Sequence, residues 1–137
     1  MKRWSYAAFF LIIITSLTGC KVQGITEKKT NETEFEIVEE ERIPEDMKAW
    51  IDRHKEKPFQ TAVSDQGYWY VARGYGKKDR MGYEIIPDRC YETKHTIAVH
   101  TLLYGPEEEK DFIEGCSYPY LVIRMKWKDK MIVFLNK

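Results

Sequence analysis

The alternation of apolar and polar residues is clearest around a glycine-flanked segment in the middle of the chain. Aromatic and β-branched residues crowd Tyr68–Tyr75 and residues 83–86, and the segment between them is charged. Such residues fit a pleated, half-buried surface, whereas glycine with charge marks a turn. We therefore predict two antiparallel strands, 68–75 and 83–86, joined by a loop at 76–82.

The first of these strands has no cleanly polar face. Side chains alternate along a strand, which places Trp69, Val71 and Arg73 on one face and Tyr68, Tyr70 and Ala72 on the other. We expect a second sheet or a helix to cover one face and an aromatic patch to remain on the other.

One helix is predicted before these strands, from Pro44 to about Lys55. The apolar residues that follow Pro44 recur at helical spacing, and proline with acidic residues suits a first turn. The face predicted to be buried contains Met47, Trp50, Ile51 and His54.

Further strands are predicted by alternation at 35–41, 61–64, 96–104, 117–127 and 131–135. Residues 65–67 form a turn in this scheme, and residues 89–94 form a polar connection. One helix and six to seven short strands indicate a mainly β fold, either a β-sandwich or a partly open barrel, with the helix over an open end or edge.

The N-terminus has the organisation of an export signal. A basic start, Lys2-Arg3, precedes an apolar run at 7–14 that is too short to span a bilayer, and Leu17-Thr18-Gly19-Cys20 follows. This motif resembles a bacterial lipobox, which implies cleavage before Cys20, lipid on its sulfur and export. The alternatives are an ordinary signal peptide, or an N-terminal anchor in which the cysteine is incidental.

The predicted organisation is a signal peptide at 1–19, a lipidated cysteine and flexible tether at 20–34, and one domain at 35–137. Residues 21–34 are too polar to order themselves. The chain has 22 basic and 22 acidic residues, and without residues 1–19 it has a net charge of −2. This balance argues against nucleic acid as a partner, so we expect attachment to the membrane through lipid on Cys20 rather than through charge.

Short motifs in the domain are similar to those of the PrcB-like protease-complex-subunit domain. They are Gly74 at the end of a strand, Gly82-Tyr83-Glu84-Ile85 and Tyr118-Pro119-Tyr120. The resemblance extends over residues 43–135, but Arg80-Met81-Gly82 stands where the family has Thr-Gly-Gly. It implies a non-catalytic domain of an exported protein, named for a member that supports a surface protease complex.

A more distant similarity is to chagasin-like protease inhibitors. These inhibitors place a Thr-Gly-Tyr loop and an aromatic-proline loop at one end of an immunoglobulin-like sandwich. Loops 77–83 and 116–120 of this chain each precede a predicted strand, and the two strands could start at the same end. The resemblance implies inhibition of a protease as the alternative function.

The candidate contact residues are Arg80, Gly82, Tyr83, Tyr118, Pro119 and Tyr120. Tyrosine and arginine are common anchors of protein interfaces, although tyrosines at strand starts also serve as core residues. We expect a protein partner, with a protease as one candidate, contacted through these residues. The sequence shows no small-molecule substrate and no cofactor.

Cysteine and histidine residues supply the remaining candidate chemistry. Cys90 and Cys116 form a possible disulfide in an oxidising compartment, or they remain a reduced pair. Either thiol could be a nucleophile beside His95 or His100, but no Gly-x-Ser-x-Gly is present, and we expect no enzymatic activity. The two histidines lie five residues apart and face opposite sides of a strand, so no metal site is expected.

Overall fold

The computed structural model describes residues 29–106 and 113–136, which form one α-helix, one short 3-10 helix and ten strands. The strands are β1 (Asn31–Glu32), β2 (Glu36–Ile37), β3 (Pro58–Asp65), β4 (Tyr68–Tyr75), β5 (Lys78–Met81), β6 (Glu84–Glu92), β7 (Thr96–Tyr104), β8 (Ile113–Ser117), β9 (Tyr120–Lys126) and β10 (Met131–Phe134). The 3-10 helix spans Glu40–Arg42, and the α-helix α1 spans Glu45–His54.

The strands form three sheets. One has the order β1-β6-β7-β10, with β10 parallel to β7, and a second has the order β2-β9-β4-β3. A third, two-stranded sheet pairs β5 with β8. The described residues form mainly strands in several sheets, with one α-helix and no closed barrel, so the predicted mainly β fold is confirmed. The predicted place of the helix is wrong, because α1 packs on β4 and β9, the central strands of the second sheet, and not over an open end or edge. The strand count exceeds the prediction because β1, β5 and β8 were not predicted, whereas β2 occupies only two residues of the strand predicted at 35–41.

Two apolar cores lie on opposite faces of the second sheet. Between the two larger sheets, Val71 and Ile123 pack with Ile97 and Val99, and on the other face α1 packs over Tyr70, Ala72 and Val122. The predicted alternation of β4 is therefore confirmed. Both of its faces are covered, however, which corrects the expectation of an exposed aromatic face. The neighbouring β9 is also covered on both faces in its middle, since the adjacent residues Val122 and Ile123 are both buried.

The predicted helix is present, with Pro44 just before its first turn and Lys55 after its last. Met47 and Ile51 are buried and Trp50 is half-buried. His54 is exposed, so its predicted burial is wrong. Its ring stacks on that of Trp50, with centroids 3.9 Å apart, and its Nδ1 lies 2.7 Å from the Trp50 carbonyl oxygen.

The predicted pairing of 68–75 with 83–86 is wrong. β4 pairs with β3 and β9 in one sheet, whereas β6 pairs with β1 and β7 in the other. The β3–β4 hairpin is closed by Gln66 and Gly67, whose φ angles of 47° and 85° suit a tight two-residue turn. The segment 76–82 is not a simple loop, because it contains β5. This strand follows β4 in the chain and pairs with β8.

Residues 89–92 belong to β6 and are not the predicted polar connection. Cys90 and Glu92 are buried there. The Glu92 carboxylate forms ion pairs with Lys128 Nζ at 2.8 Å and Lys130 Nζ at 3.1 Å. These lysines hold the pKa of Glu92 below its ordinary value despite burial, the bond to Lys128 having the largest effect. Long-range partners of this kind leave no signal in the local pattern.

The end of the predicted tether is part of the first sheet. Asn31 and Glu32 pair with β6, and the Thr30 amide donates to the Glu92 carbonyl oxygen at 2.8 Å. The tether prediction is therefore wrong for residues 31–32. The predicted signal peptide and Cys20 lie outside the described residues. No helix in the described part of the chain combines the length and apolar character needed to cross a bilayer.

Candidate protein-binding tip

The two segments predicted to bind a partner are joined by the β5–β8 ladder. Lys78 pairs with Ser117, and the Ser117 hydroxyl donates to the Arg80 carbonyl oxygen at 2.7 Å. We use the name tip for residues 78–83 together with residues 115–119. The ladder brings to one place side chains that are 37 residues apart in the sequence.

Glycines give the tip its shape. The register of β5 and β8 shifts between Lys78 and Arg80, and Gly115 in this irregular stretch has a φ of 124°. Gly82, which was predicted from the motif, has a φ of 94°, a conformation that residues with a Cβ rarely adopt. A Cβ at Gly115 would lie 3.6 Å from Met81 Sδ, so the Met81 side chain passes over this glycine. Arg80 and Met81 are exposed, Met81 by 42%.

Tyr83 is half-buried at the edge of the tip. Its ring lies against Gly105, where a Cβ would come within 3.0 Å of Tyr83 Cε1. Lys78 Nζ is 5.9 Å from the centroid of the same ring, within the range of a cation–π contact. Contacts with Gly105 and Lys78 therefore restrain the Tyr83 ring, which remains partly exposed.

Tyr118 and Pro119 connect β8 at the tip to β9 of the second sheet. Lys55 Nζ lies 5.2 Å from the Tyr118 ring centroid, and the Pro119 carbonyl oxygen accepts a hydrogen bond from the Tyr75 amide at 3.0 Å. Both side chains are half-buried. The contact with Lys55 also places the C-terminal end of α1 beside the tip.

Tyr120 has a different environment from the other two tyrosines. Its ring packs against the core under α1, and its hydroxyl donates to Glu40 at 3.4 Å. Burial raises the pKa of Tyr120, while the hydrogen bond from Lys48 holds the pKa of Glu40 below its ordinary value. Of the two roles that the sequence left open, Tyr120 has the packing role.

The geometry therefore places five of the six predicted contact residues at the tip and the sixth under the helix. Sequence reasoning missed Met81 and Lys55. Met81 could have been predicted from the sequence, since an apolar residue next to a glycine in a charged segment is a candidate for an exposed contact residue. Lys55 could not have been predicted, because only the fold brings the end of α1 to Tyr118.

The possible disulfide is not formed, and both cysteines are free. Cys90 is 3% exposed in the core between the two sheets, whereas Cys116 is exposed on β8 in the small sheet. Burial raises the pKa of the Cys90 thiol to about 11. A nucleophilic cysteine requires a lowered pKa, so Cys90 lacks the properties of one.

The histidines have separate environments. His100 is buried and its Nδ1 lies 2.6 Å from Asp88 Oδ1, whereas His95 is exposed. Within residues 29–106 and 113–136, no three His, Cys, Asp or Glu side chains are grouped to hold a metal ion.

Comparison with known protein families adds one finding to this geometry. Residues 69–126 match the family model described as PrcB C-terminal. The match supports a PrcB-like C-terminal domain that begins in β4, ends in β9 and includes every residue of the tip. Comparisons with curated proteins and with solved structures gave no match.

Proposed function

We propose that this protein is a lipid-anchored, extracytoplasmic, protein-binding subunit that supports a surface protease complex. The PrcB-like match is consistent with association with a protease complex. In this proposal the lipid on Cys20 holds the protein at the cell membrane, and the tip contacts another protein of the complex. The domain acts by binding and not by catalysis.

The pairing of β5 with β8 carries the proposal. It joins two separate stretches of the family match into one surface, with a guanidinium at Arg80, an exposed thioether at Met81 and the ring edges of Tyr83 and Tyr118. Arginine, aromatic residues and methionine are the residue types enriched at the centres of protein interfaces. Because the glycines and the ladder fix these groups, binding costs little conformational entropy.

The tip is also basic. Lys78 and Arg80 flank Asp79, and Lys77 just before the tip and Lys55 beside Tyr118 add two positive charges, whereas Glu114 lies opposite Arg80 in the β5–β8 ladder. The remainder of the exported chain has a negative balance. We therefore expect the partner to present an acidic patch with an apolar centre to this surface, since complementary charge directs encounter and register.

Affinity capture from detergent-solubilised membranes tests this role. The full chain is compared with Arg80→Glu, which reverses a charge at the tip, and with Lys94→Glu, which reverses an exposed charge beyond the far end of β6. We expect Arg80→Glu to reduce recovery of the partner about tenfold or more, as for an anchor residue. Lys94→Glu should leave recovery unchanged. Equal recovery with all three proteins would remove the tip from the proposal.

The inhibitor alternative uses the same two segments but requires them as loops that enter a protease cleft. In the structure β5 includes residues 78–81 of the first segment and β8 ends with residues 116–117 of the second, so the two backbones are partly paired with each other. This observation favours a contact surface over insertion into a cleft. We expect micromolar protein to leave the activity of a panel of cysteine and serine proteases unchanged, and strong inhibition of one of them would reverse this preference.

A further inference from the structure

The second sheet ends in an unusually accessible edge. β3 has eight residues, all in continuous register with β4, whereas the other edge strands of the two larger sheets, β1, β2 and β10, have two, two and four residues. Lysine, proline and register shifts commonly prevent edge-to-edge pairing. β3 contains no lysine, arginine or register shift, and its single proline, Pro58, is its first residue, before the segment from Gln60 to Ser64. No other described strand pairs with its outer edge.

The hairpin turn determines which backbone groups this edge presents. Asp65 and Tyr68 flank the two-residue turn and therefore form a hydrogen-bonded pair. Alternation along β3 then directs the amide and carbonyl groups of Gln60, Ala62 and Ser64 away from β4. These groups are spaced to receive an added strand.

A groove of about 650 Å³ lies beside the same edge, between β3 and the first half of α1. Thr61, Val63 and Asp65 contribute from β3 to the lining, while Met47 and Trp50 contribute from α1. Val63 is 40% exposed, which is unusual for a valine in a strand next to a helix. The groove therefore has an apolar wall that no described residue covers.

Trp50 gives this wall a fixed position. Its ring stacks on His54, and it also meets Phe59 edge-on with centroids 5.3 Å apart. Because two rings hold the indole, it can serve as a rigid platform for a flexible side chain.

The charge of the groove has one sign. Glu45, Asp46 and Asp65 are among its lining residues, and the lining includes no lysine, arginine or histidine. The first two acids also stabilise the N-terminus of α1, but Asp65 comes from the opposite wall and has no such role. A lysine or arginine fits this combination, since its apolar stem would lie along Trp50 and Val63 while its charged end reached the carboxylates.

We propose that β3 and this groove bind an extended, basic peptide segment of a partner protein by strand addition. The segment pairs with the outer edge of β3, and every second side chain enters the groove, where a lysine or arginine is preferred. This surface is distinct from the tip. It lies toward the turn at Gln66, whereas the Pro58 end of β3 contacts Gly76, next to β5.

Nuclear magnetic resonance of the full chain in detergent tests the proposal, with two nonapeptides as probes. One alternates threonine with lysine and the other alternates threonine with glutamate. We expect the lysine peptide to bind and to shift and protect the amides of Gln60, Ala62 and Ser64, with no binding of the glutamate peptide. Failure of the lysine peptide to bind at ~1 mM, or equal binding of both peptides, would overturn the proposal.

A matched pair of variants on α1 sharpens the test. Asp46→Asn removes a carboxylate from the groove, whereas Asp52→Asn removes an exposed carboxylate of the same helix that is not among the lining residues. We expect the first to weaken lysine-peptide binding about tenfold and the second to leave it unchanged, with both variants folded by their amide spectra.

The location of the response separates this proposal from its alternatives. Shifts confined to the tip would place basic peptides elsewhere and overturn the groove assignment. Concentration-dependent shifts of the β3 edge amides without peptide would assign the edge to a second copy of the chain, which also contradicts a peptide site. The first result would also contradict the acidic partner expected for the tip, whereas the second would leave the proposal for the tip unaffected.

Discussion

The tip and the β3 groove lie toward opposite ends of the β3–β4 hairpin and use their backbones in opposite ways. At the tip, β5 and β8 pair with each other, so the proposed partner would meet side chains around Arg80 and Tyr83. At the groove, the outer edge of β3 is paired with no described strand, and a partner can meet the backbone itself. The tip is basic and lies within the PrcB-like match, whereas the groove is acidic and its lining residues all precede residue 69.

This contrast shows that one small sandwich can present two surfaces with independent chemistry. Both depend on the same interior, because α1 contributes Trp50 to the groove and Lys55 to the tip. Changes in the shared interior should therefore affect both surfaces, whereas changes at either surface should affect one.

The largest expected effect is that of Ile51→Ala. Ile51 is 0% exposed and packs α1 on the second sheet, so its truncation should reduce the free energy of unfolding by about 2–5 kcal/mol. Urea denaturation measures the change, with Asp52→Ala at the adjacent exposed position as the control. A loss below that of the control would mean that α1 is not part of the cooperative core.

The reactivity of Cys90 gives the next largest effect. With its pKa raised from 9 to about 11, its thiolate fraction near pH 8 falls about a hundredfold, and burial also restricts access. Iodoacetamide labelling followed by peptide mass spectrometry should modify exposed Cys116 in the native protein, and Cys90 only in urea. Rapid native labelling of Cys90, or a peptide containing both cysteines as a disulfide, would contradict the structure.

The two glycines at the ends of β4 should respond differently to alanine. A Cβ at Gly74 would lie 2.1 Å from the Phe59 ring, whereas a Cβ at Gly67 would contact nothing within 4 Å. Gly74→Ala should cost about 1–3 kcal/mol through overpacking, and Gly67→Ala should cost only the strain of its positive φ, about 1 kcal/mol. Thermal unfolding compares them, and the reverse order would show that Phe59 moves away without cost.

The smallest effect concerns acid stability at the end of β6, remote from the tip. The pKa of Glu92 is lowered in the folded state, so its ion pairs stabilise the protein above about pH 4.5. This stabilisation is lost as the pH falls through the lower, folded-state pKa. Glu92→Gln should therefore be less stable than the wild type at pH 7, and the difference should shrink toward pH 2–3. A constant difference across this range would rule out the ion pairs as its source.

Local pattern predicted much of the fold because apolar periodicity records burial. It predicted α1, the bounds of β4 and β7 and the turn before Tyr68. It could not predict which strands pair, since the sequence of β4 shows the same alternation whether the strand pairs with β6 or with β9. It also missed the buried polar end of β6, where Glu92 depends on lysines about 36 residues away.

The tip was predictable in part for a similar reason. Gly82 and Tyr83 stand out in the sequence because glycine and an aromatic residue share a short motif. Their proximity to Ser117 required the β5–β8 register, and the difference between Tyr118 and Tyr120 required the position of α1. The groove had no local signal at all, because its walls come from α1 and β3.

Site-specific photo-cross-linking in intact cells tests the central claim most directly. A photoreactive phenylalanine analogue replaces either Met81, exposed at the tip, or Lys94, exposed beyond the far end of β6. If the tip contacts a protein of a surface protease complex, the Met81 position should yield a discrete cross-linked product containing that protein, and Lys94 should yield none. A product from Lys94 alone, or the same product from both positions, would contradict the account.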